Sequence, residues 1–358
     1  MTVHDSILSQ YRTCLKQGGW FARPGRGLLE VSGADRAAWL NNLVTNVIKT
    51  LQPGEGNYAF AVNVKGRVVF DLNMLVLEDR IWLDMDSRVF ASARAHLDRF
   101  IITEDVRLVD ISDRHARLAV IGPSAPRAIA ELGLENLTPM SQLQHRAARV
   151  AHTDLRMIRH DLAGLPGAEL ILPADQAAWL RGTVAHSCQV NGMAELGPEV
   201  FEILRIEAGI PASVDDIDDE VVPPETGQIE RGISYHKGCY LGQEVIERMR
   251  SHGILARQLV GLRIGPVPGA DATCTAAPAY GPRPALPAKG ALLRSGEKEA
   301  GRVTSACFSV ALSGPIALGY VKSGFARPGT TLTIESDSQG LAAEVISLPV
   351  RKPTTPNG

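Results

Sequence analysis

The sequence predicts an α+β protein made of two related strand-and-helix lobes followed by a smaller β-domain. Three observations predict it. A strand-Gly-helix pattern occurs twice in the first two-thirds of the chain, the sequence turns rich in Pro, Ala and Gly after Arg257, and short strands separated by Gly and Pro turns follow. At 358 residues the chain exceeds one ordinary core. With 45% hydrophobic and 21% charged residues it has the composition of a folded protein, not a disordered one.

In chain order, the stretch from Met1 to Gly19 carries Asp5, Arg12 and Lys16 and lacks the apolar core and small-residue cleavage site of a secretory signal. Leu28 to Ser32 reads as a strand ending in Gly33, and Ala37, Ala38, Leu40 and Leu43 then fall at helical spacing. Leu118 to Ile121 repeats this pattern into Gly122, with Ala128, Ile129 and Leu132 forming the helical face. A second pair echoes as well: the strand at Trp82 to Met85 leads into a helix over Arg88 to Phe100, and the strand at Leu170 to Pro173 leads into a helix over Ala174 to Val184. Two such lobes each bury a sheet face under helices. Leu259 to Ile264 begins the last unit, Pro266 to Gly290 reads as a flexible insertion, and Gly301 to Ser305, Ile316 to Val321 and Thr330 to Ile334 are short strands of a small β-barrel or sandwich. The expected divisions are a first lobe over residues 1–115, a second over 116–256, the β-domain over 257–350 and a frayed tail over 351–358.

Charge and cysteine content restrict the function classes. Lys and Arg number 37 against 39 Asp and Glu, a net charge of −2, so nothing draws the whole chain to phosphate backbones, and no direct nucleic-acid binding is expected. Apolar runs such as Leu72 to Leu77 fall well short of the roughly 20 residues that span a bilayer. A cytoplasmic protein without membrane association is expected. The five cysteines are scattered and never form C-x-x-C, so neither a disulfide framework nor a self-contained zinc site is indicated. The acidic run Asp215 to Glu220 lacks the spaced oxygens and central glycine of a calcium loop and reads as a solvated loop. His152, His160 and His186 have no metal-ligand spacing and receive no role.

The sharpest segment is Lys237-Gly238-Cys239-Tyr240-Leu241-Gly242-Gln243-Glu244. Helical signals begin at Gly242 and end at the C-cap Gly253, which puts Cys239 just before a helix N-terminus and two residues after a lysine. Both surroundings favour thiolate over thiol, so Cys239 reads either as a reactive or metal-binding sulfur or as a buried turn residue. His236 adds at most a second ligand to any metal there, which is too few to define a site.

This segment resembles the K-G-C-Y-x-G-Q-E signature of the YgfZ family of folate-binding proteins, relatives of the glycine-cleavage T-protein, an aminomethyltransferase. The resemblance extends to Thr45-Asn46, Tyr58, Asn63 to Arg67, Asp71-Leu72, Leu204 to Gly209 and the strands around Arg302 and Leu318, spanning about Leu28 to Leu348. It implies a three-domain cloverleaf ring around a central hole for tetrahydrofolate, with the C-terminal domain a β-barrel. The implied role is assembly or repair of iron–sulfur enzymes, tRNA-methylthiolating ones among them, through Cys239. Partners would be an iron–sulfur carrier or client enzymes, and a transient iron–sulfur cluster is a further implied cargo.

Two departures separate the chain from the transferase branch. Phe70-Asp71-Leu72 stands where that branch has Asp-Asp-Leu, and Leu165 replaces the first Glu of a T-G-E-x-G-x-E pattern. Both are read as favouring binding over classical aminomethyl transfer, the alternative function, because an aromatic cannot accept a proton. For folate, Arg205 offers a fork suited to a glutamyl carboxylate, with a helix-surface pair to Glu202 or Glu207 as the alternative. Glu169 can accept paired pterin N–H groups, and Asp71 sits in an apolar run where a carboxylate needs a partner. Asn63 and Tyr58 complete the expected cofactor-binding set.

Overall fold

The computed structural model describes residues 3–253, 255–265, 286–335 and 340–351. The core of the Pro/Ala-rich insertion, including Cys274, and nearly all of the tail lie outside the described residues. The α+β class, the paired lobes and the closed C-terminal barrel are those the sequence predicts.

The first sheet has five strands in the order Gly56–Val62, Val68–Val76, Arg80–Asp86, Arg26–Ser32 and Arg107–Asp110, all antiparallel. Alternation sends Leu29, Val31, Phe70, Leu72, Ile81 and Leu83 to one face, where they pack with Leu40 and Leu97 of helices Arg36–Asn41 and Phe90–Asp98. Full burial of each such side chain contributes about 1.5–3 kcal/mol. The opposite face presents Arg26, Leu28, Tyr58, Asp71, Trp82 and Asp84 on the same strands.

The second sheet has the order Ala194–Glu195, Gly19–Ala22, His115–Ile121, Gly167–Pro173, Thr153–Arg159 and His145–Val150. Helices Ala125–Glu131 and Ala177–Val190 cover Leu118, Val120, Ala168 and Leu170. Its other face meets the inner face of the first sheet, where Leu28, Phe60 and Leu75 share a core with Ile158 and Ile171. Four layers result, with helices outside and two sheets face to face. Strand Gly19–Ala22 precedes every first-sheet strand in the chain yet pairs within the second sheet.

The repeated pattern has a steric basis. Gly33 and Gly122 both take φ +105°, and a Cβ would meet the Asp105 carbonyl oxygen at 2.0 Å in one and the Gly18 Cα at 2.5 Å in the other. The chain therefore turns from strand to helix at a position only glycine fills.

The C-terminal barrel closes in the order Arg257–Gly265, Gly314–Lys322, Lys298–Ser309, Leu292–Ser295, Thr331–Ile334 and Leu341–Ile346. Helix Pro198–Ala208 and the N-terminal helix Val3–Lys16 join it to the second lobe through Ile7, Tyr11, Leu204, Ile316 and Leu318. Fully buried Glu207 ties these parts together, accepting from Tyr11 Oη at 2.5 Å and Ser309 Oγ at 2.7 Å, with Arg351 Nε 3.1 Å away. No helix among the described residues is long and apolar enough to cross a membrane.

Candidate functional site

A cavity of about 720 Å³ opens where the two lobes and helix Pro198–Ala208 converge, within the roughly 300–1,000 Å³ usual for small-molecule sites. Phe21, Tyr58 and Phe201 give it aromatic walls, and Asp71, His160 and Ser213 bring polar atoms to it.

Strand Val68–Val76 presents Asp71 on its inner face, and two hydroxyls hold the carboxylate. Tyr58 Oη donates to Oδ2 at 2.9 Å, and Ser213 Oγ donates to Oδ1. Burial, then the Asp71 charge, pushes the Tyr58 phenol well above its ordinary value, so it remains a donor. The Arg231 guanidinium stacks over the Tyr58 ring, 4.0 Å from its centroid. Among the described residues no Lys, Arg or His nitrogen lies within ion-pair distance of Asp71.

The surrounding charges are paired. Asp84 binds Arg26 at 2.8 Å and Arg117 at 2.9 Å and accepts from Asn73 Nδ2 at 2.8 Å. Glu169 binds Arg23 at 2.8 Å and His160 Nδ1 at 2.9 Å, with Arg117 at 3.5 Å. Burial alone would raise both acids, but the adjacent cations outweigh it and hold both below the usual carboxylate range.

The expected cofactor-binding residues separate on this geometry. Tyr58, Asp71 and Arg205 line the cavity, whereas Glu169 and Asn63 do not. Glu169, 1% exposed, sits behind Arg23 and His160, pairing with the arginine and hydrogen-bonded to the imidazole. Asn63 lies in the turn after strand Gly56–Val62, where its Oδ1 accepts from the backbone of Lys65 and Arg67. Arg205 lines the cavity, but its donors are engaged by protein: Glu202, the Ile210 carbonyl, Asp216 at 2.8 Å and Ser305 Oγ at 2.8 Å. Of the two pairings weighed from sequence, the one to Glu202 forms, and buried Asp216 joins it.

The acidic run is likewise a clasp and not a solvated loop. Asp215 pairs with Arg88 of the first lobe at 2.9 Å, Asp216 accepts from Thr304 and Ser305 of the barrel, and Asp218 pairs with Arg302 at 3.0 Å. Mutual repulsion made a solvent reading natural, because the arginines that neutralise the run come from distant parts of the chain.

The Lys237 to Glu244 signature packs on the first lobe, away from the cavity lining. Lys237 turns inward, and its ammonium donates to the Asn41 carbonyl and, at 2.5 Å, to the Val44 carbonyl; burial lowers it to about 8. Gly242 precedes helix Gln243–His252, the Gln243 side chain accepts from the Tyr240 N–H at 3.2 Å, and Gly253 closes the helix in a left-handed conformation. Cys239 and Glu244 remain exposed, while Tyr240 is buried. Cys14, Cys188 and Cys307 are buried, and among the described residues no group of three or more His, Cys, Asp or Glu side chains can hold a metal ion.

Both departures from the transferase pattern fall in apolar cores. Phe70 points to the helix side of its strand, opposite Asp71, and meets His96 edge-on at 6.0 Å. Leu165 packs with Leu162 and Leu204. Neither side chain lines the cavity, so Phe70 removes no acid from it. Sequence reasoning did not find Arg231, Ser213 or His160. Arg231 and Ser213 carry no motif of their own, and His160 was set aside for want of metal spacing.

The molecule is thus a two-lobed α+β protein with a barrel appended and a ligand-sized cavity at the junction. Family comparison matches the GCVT N-terminal domain over residues 1–234 and the glycine cleavage T-protein C-terminal barrel domain over residues 257–352. The chain belongs to the glycine-cleavage T-protein family. The Cys239 signature lies in the stretch between those two matches. Relatives include an aminomethyltransferase of Thermoanaerobacter pseudethanolicus, 25% identical over 96% of this chain and 89% of the relative. A mitochondrial aminomethyltransferase of Flaveria trinervia is 27% identical over 96% of this chain and 82% of its own length. The fold is similar to the crystal structure of glycine cleavage system aminomethyltransferase T from Bartonella henselae, with a TM-score of 0.81 at 22% identity, covering 96% of this chain and 89% of that one.

Proposed function

We propose that this protein binds tetrahydrofolate in the central cavity and supports iron–sulfur cluster enzymes through the exposed thiol of Cys239. The observation that carries the folate reading is Asp71, a cavity carboxylate held by two hydroxyls with no cation within ion-pair distance among the described residues. Such a group favours a ligand that brings N–H donors, as a reduced pterin does. Phe201 offers aromatic surface for a flat ring system. Tetrahydrofolate supplies a carrier for one-carbon units when bound; the protein's own residues orient it.

The iron–sulfur part rests on the resemblance of the Lys237 to Glu244 segment to the YgfZ signature and on the exposure of its sulfur. One thiol with no companion ligands among the described residues does not fit a resident cluster, so Cys239 is assigned contact with a cytoplasmic carrier or client protein. A second reading, aminomethyl transfer, is favoured by the names of the relatives and by Asp71, which can accept a proton within the cavity.

Anaerobic calorimetry tests the folate reading. Wild type is expected to bind tetrahydrofolate saturably, and Asp71→Asn to weaken binding at least tenfold, about 1.4 kcal/mol. Absence of wild-type binding at millimolar ligand refutes both folate readings. Glycine-cleavage activity with a lipoyl carrier protein would establish the transferase reading, whereas loss of iron–sulfur enzyme activity in cells carrying Cys239→Ser, with folate binding retained, would establish the first.

A further inference from the structure

Six arginines line the cavity, and five have carboxylate partners: Arg23 with Glu169, Arg26 with Asp84, Arg88 with Asp86 and Asp215, Arg181 with Glu195, and Arg205 with Glu202 and Asp216. Arg231 alone has no carboxylate within ion-pair distance among the described residues. Its Nε donates to Gln228 at 2.6 Å, and its two terminal nitrogens have no acceptor there. The cavity's acids mirror this. Asp86, Asp161, Glu195, Glu202 and Asp215 each meet an arginine, and Asp71 does not. One positive and one negative charge therefore stay open on the same wall, and Tyr58 joins them, with Arg231 on its ring face and Asp71 on its hydroxyl.

The position of Arg231 is built into the fold. It lies in the short helix Ile229–Gly232, whose backbone is pinned to strand Gly56–Val62 by two side chains. Asn46 Nδ2 donates to the carbonyls of both Tyr58 and Arg231 at 2.9 Å. Thr45 Oγ1 donates to the Gly232 carbonyl at 2.6 Å and accepts from the Phe60 N–H at 2.9 Å. A guanidinium held over an aromatic ring, with its terminal N–H groups unengaged, is available to the planar fork of a carboxylate.

We infer that Arg231, and not Arg205, receives the anionic glutamyl end of the bound folate, making it a specificity-determining residue of the cavity. The inference rests on the folate reading above and predicts which half of the ligand each open charge senses. Calorimetry with two probes, tetrahydrofolate and 6-methyltetrahydropterin, which lacks the aminobenzoyl-glutamate, separates the two. Arg231→Gln should weaken tetrahydrofolate about tenfold while changing the pterin less than about twofold, and Arg231→Lys should recover part of the loss. Added salt should weaken tetrahydrofolate binding to wild type more than binding to Arg231→Gln. Equal weakening of both probes would mean that Arg231 acts only by packing on Tyr58 and would overturn the inference. Unchanged tetrahydrofolate affinity in Arg231→Gln would overturn it while leaving the folate reading intact. Wild type that binds neither probe would remove both.

Discussion

Two clusters of charge lie on the inner face of the first sheet, and they are finished differently. Around Asp84, Arg26 and Arg117 close on the carboxylate, Asn73 takes a further lone pair, and Glu169 with Arg23 and His160 continues the network across to the second sheet. Around Asp71, on the neighbouring strand of the same face, the partners are hydroxyls, and no cation closes to ion-pair distance among the described residues. Burying ions is costly unless the geometry compensates them. The closed cluster therefore holds the lobes together, and the open one keeps its capacity for something that enters the cavity.

The largest expected effect breaks the closed side. Asp84→Ala leaves Arg26 and Arg117 buried without their acid and should destabilise the protein by about 3–5 kcal/mol in urea unfolding. Asp71→Asn keeps acceptor and shape and should shift stability by less than about 1 kcal/mol. Similar losses from the two substitutions would erase the distinction between the clusters.

A smaller effect comes from the seam beside them. His145 is 1% exposed, receives a hydrogen bond at Nδ1 from Arg156 at 2.8 Å, and joins the first lobe through its N–H to the Gly54 carbonyl. Burial, with the Arg156 charge, lowers it to about 4. Because the unfolded chain binds this proton more readily, near pH 6.5, the stability linked to neutral His145 is complete above that value. It should be lost as the pH falls toward 4, by up to about 3 kcal/mol. His145→Gln should flatten that part of the stability–pH curve, and an unaltered slope would move its origin elsewhere.

The smallest effect on stability is expected at Cys239. Cys239→Ser, at an exposed position, should change stability by less than about 0.5 kcal/mol. Titration of the folded protein with a thiol reagent should nonetheless lose one fast-reacting group, since Cys14, Cys188 and Cys307 are buried and burial raises their thiols. A thiol count unchanged by the substitution would contradict the exposure of that sulfur.

Much of the fold was legible because local sequence and global structure agree. Alternating apolar residues marked the strands, and Gly33 and Gly122 marked the turns into helices. The helix after the signature runs over Gln243–His252, one residue after the start expected at Gly242, and Gly253 caps it as the sequence predicts. The cavity was legible only in part. Asp71 stood out because a carboxylate in an apolar run needs a partner, and Tyr58 is that partner. Arg205 and Glu169 were read as ligand groups because their partners Asp216, Arg23 and His160 are distant in sequence or carry no signal. Arg231 was invisible for the converse reason: what distinguishes it is the lack of a carboxylate partner among the described residues, which only the folded arrangement reveals.

The strand Gly19–Ala22 constrains how the chain can be made. During synthesis the first sheet has all its strands once residue 110 has emerged, but Trp20 and Phe21, both buried in the finished protein, must wait for His115–Ile121 to arrive. The ribosome therefore carries a completed first layer with a sticky leading strand, and a fragment cut near residue 115 would keep that strand permanently orphaned. The two lobes form a single folding unit closed by its own beginning.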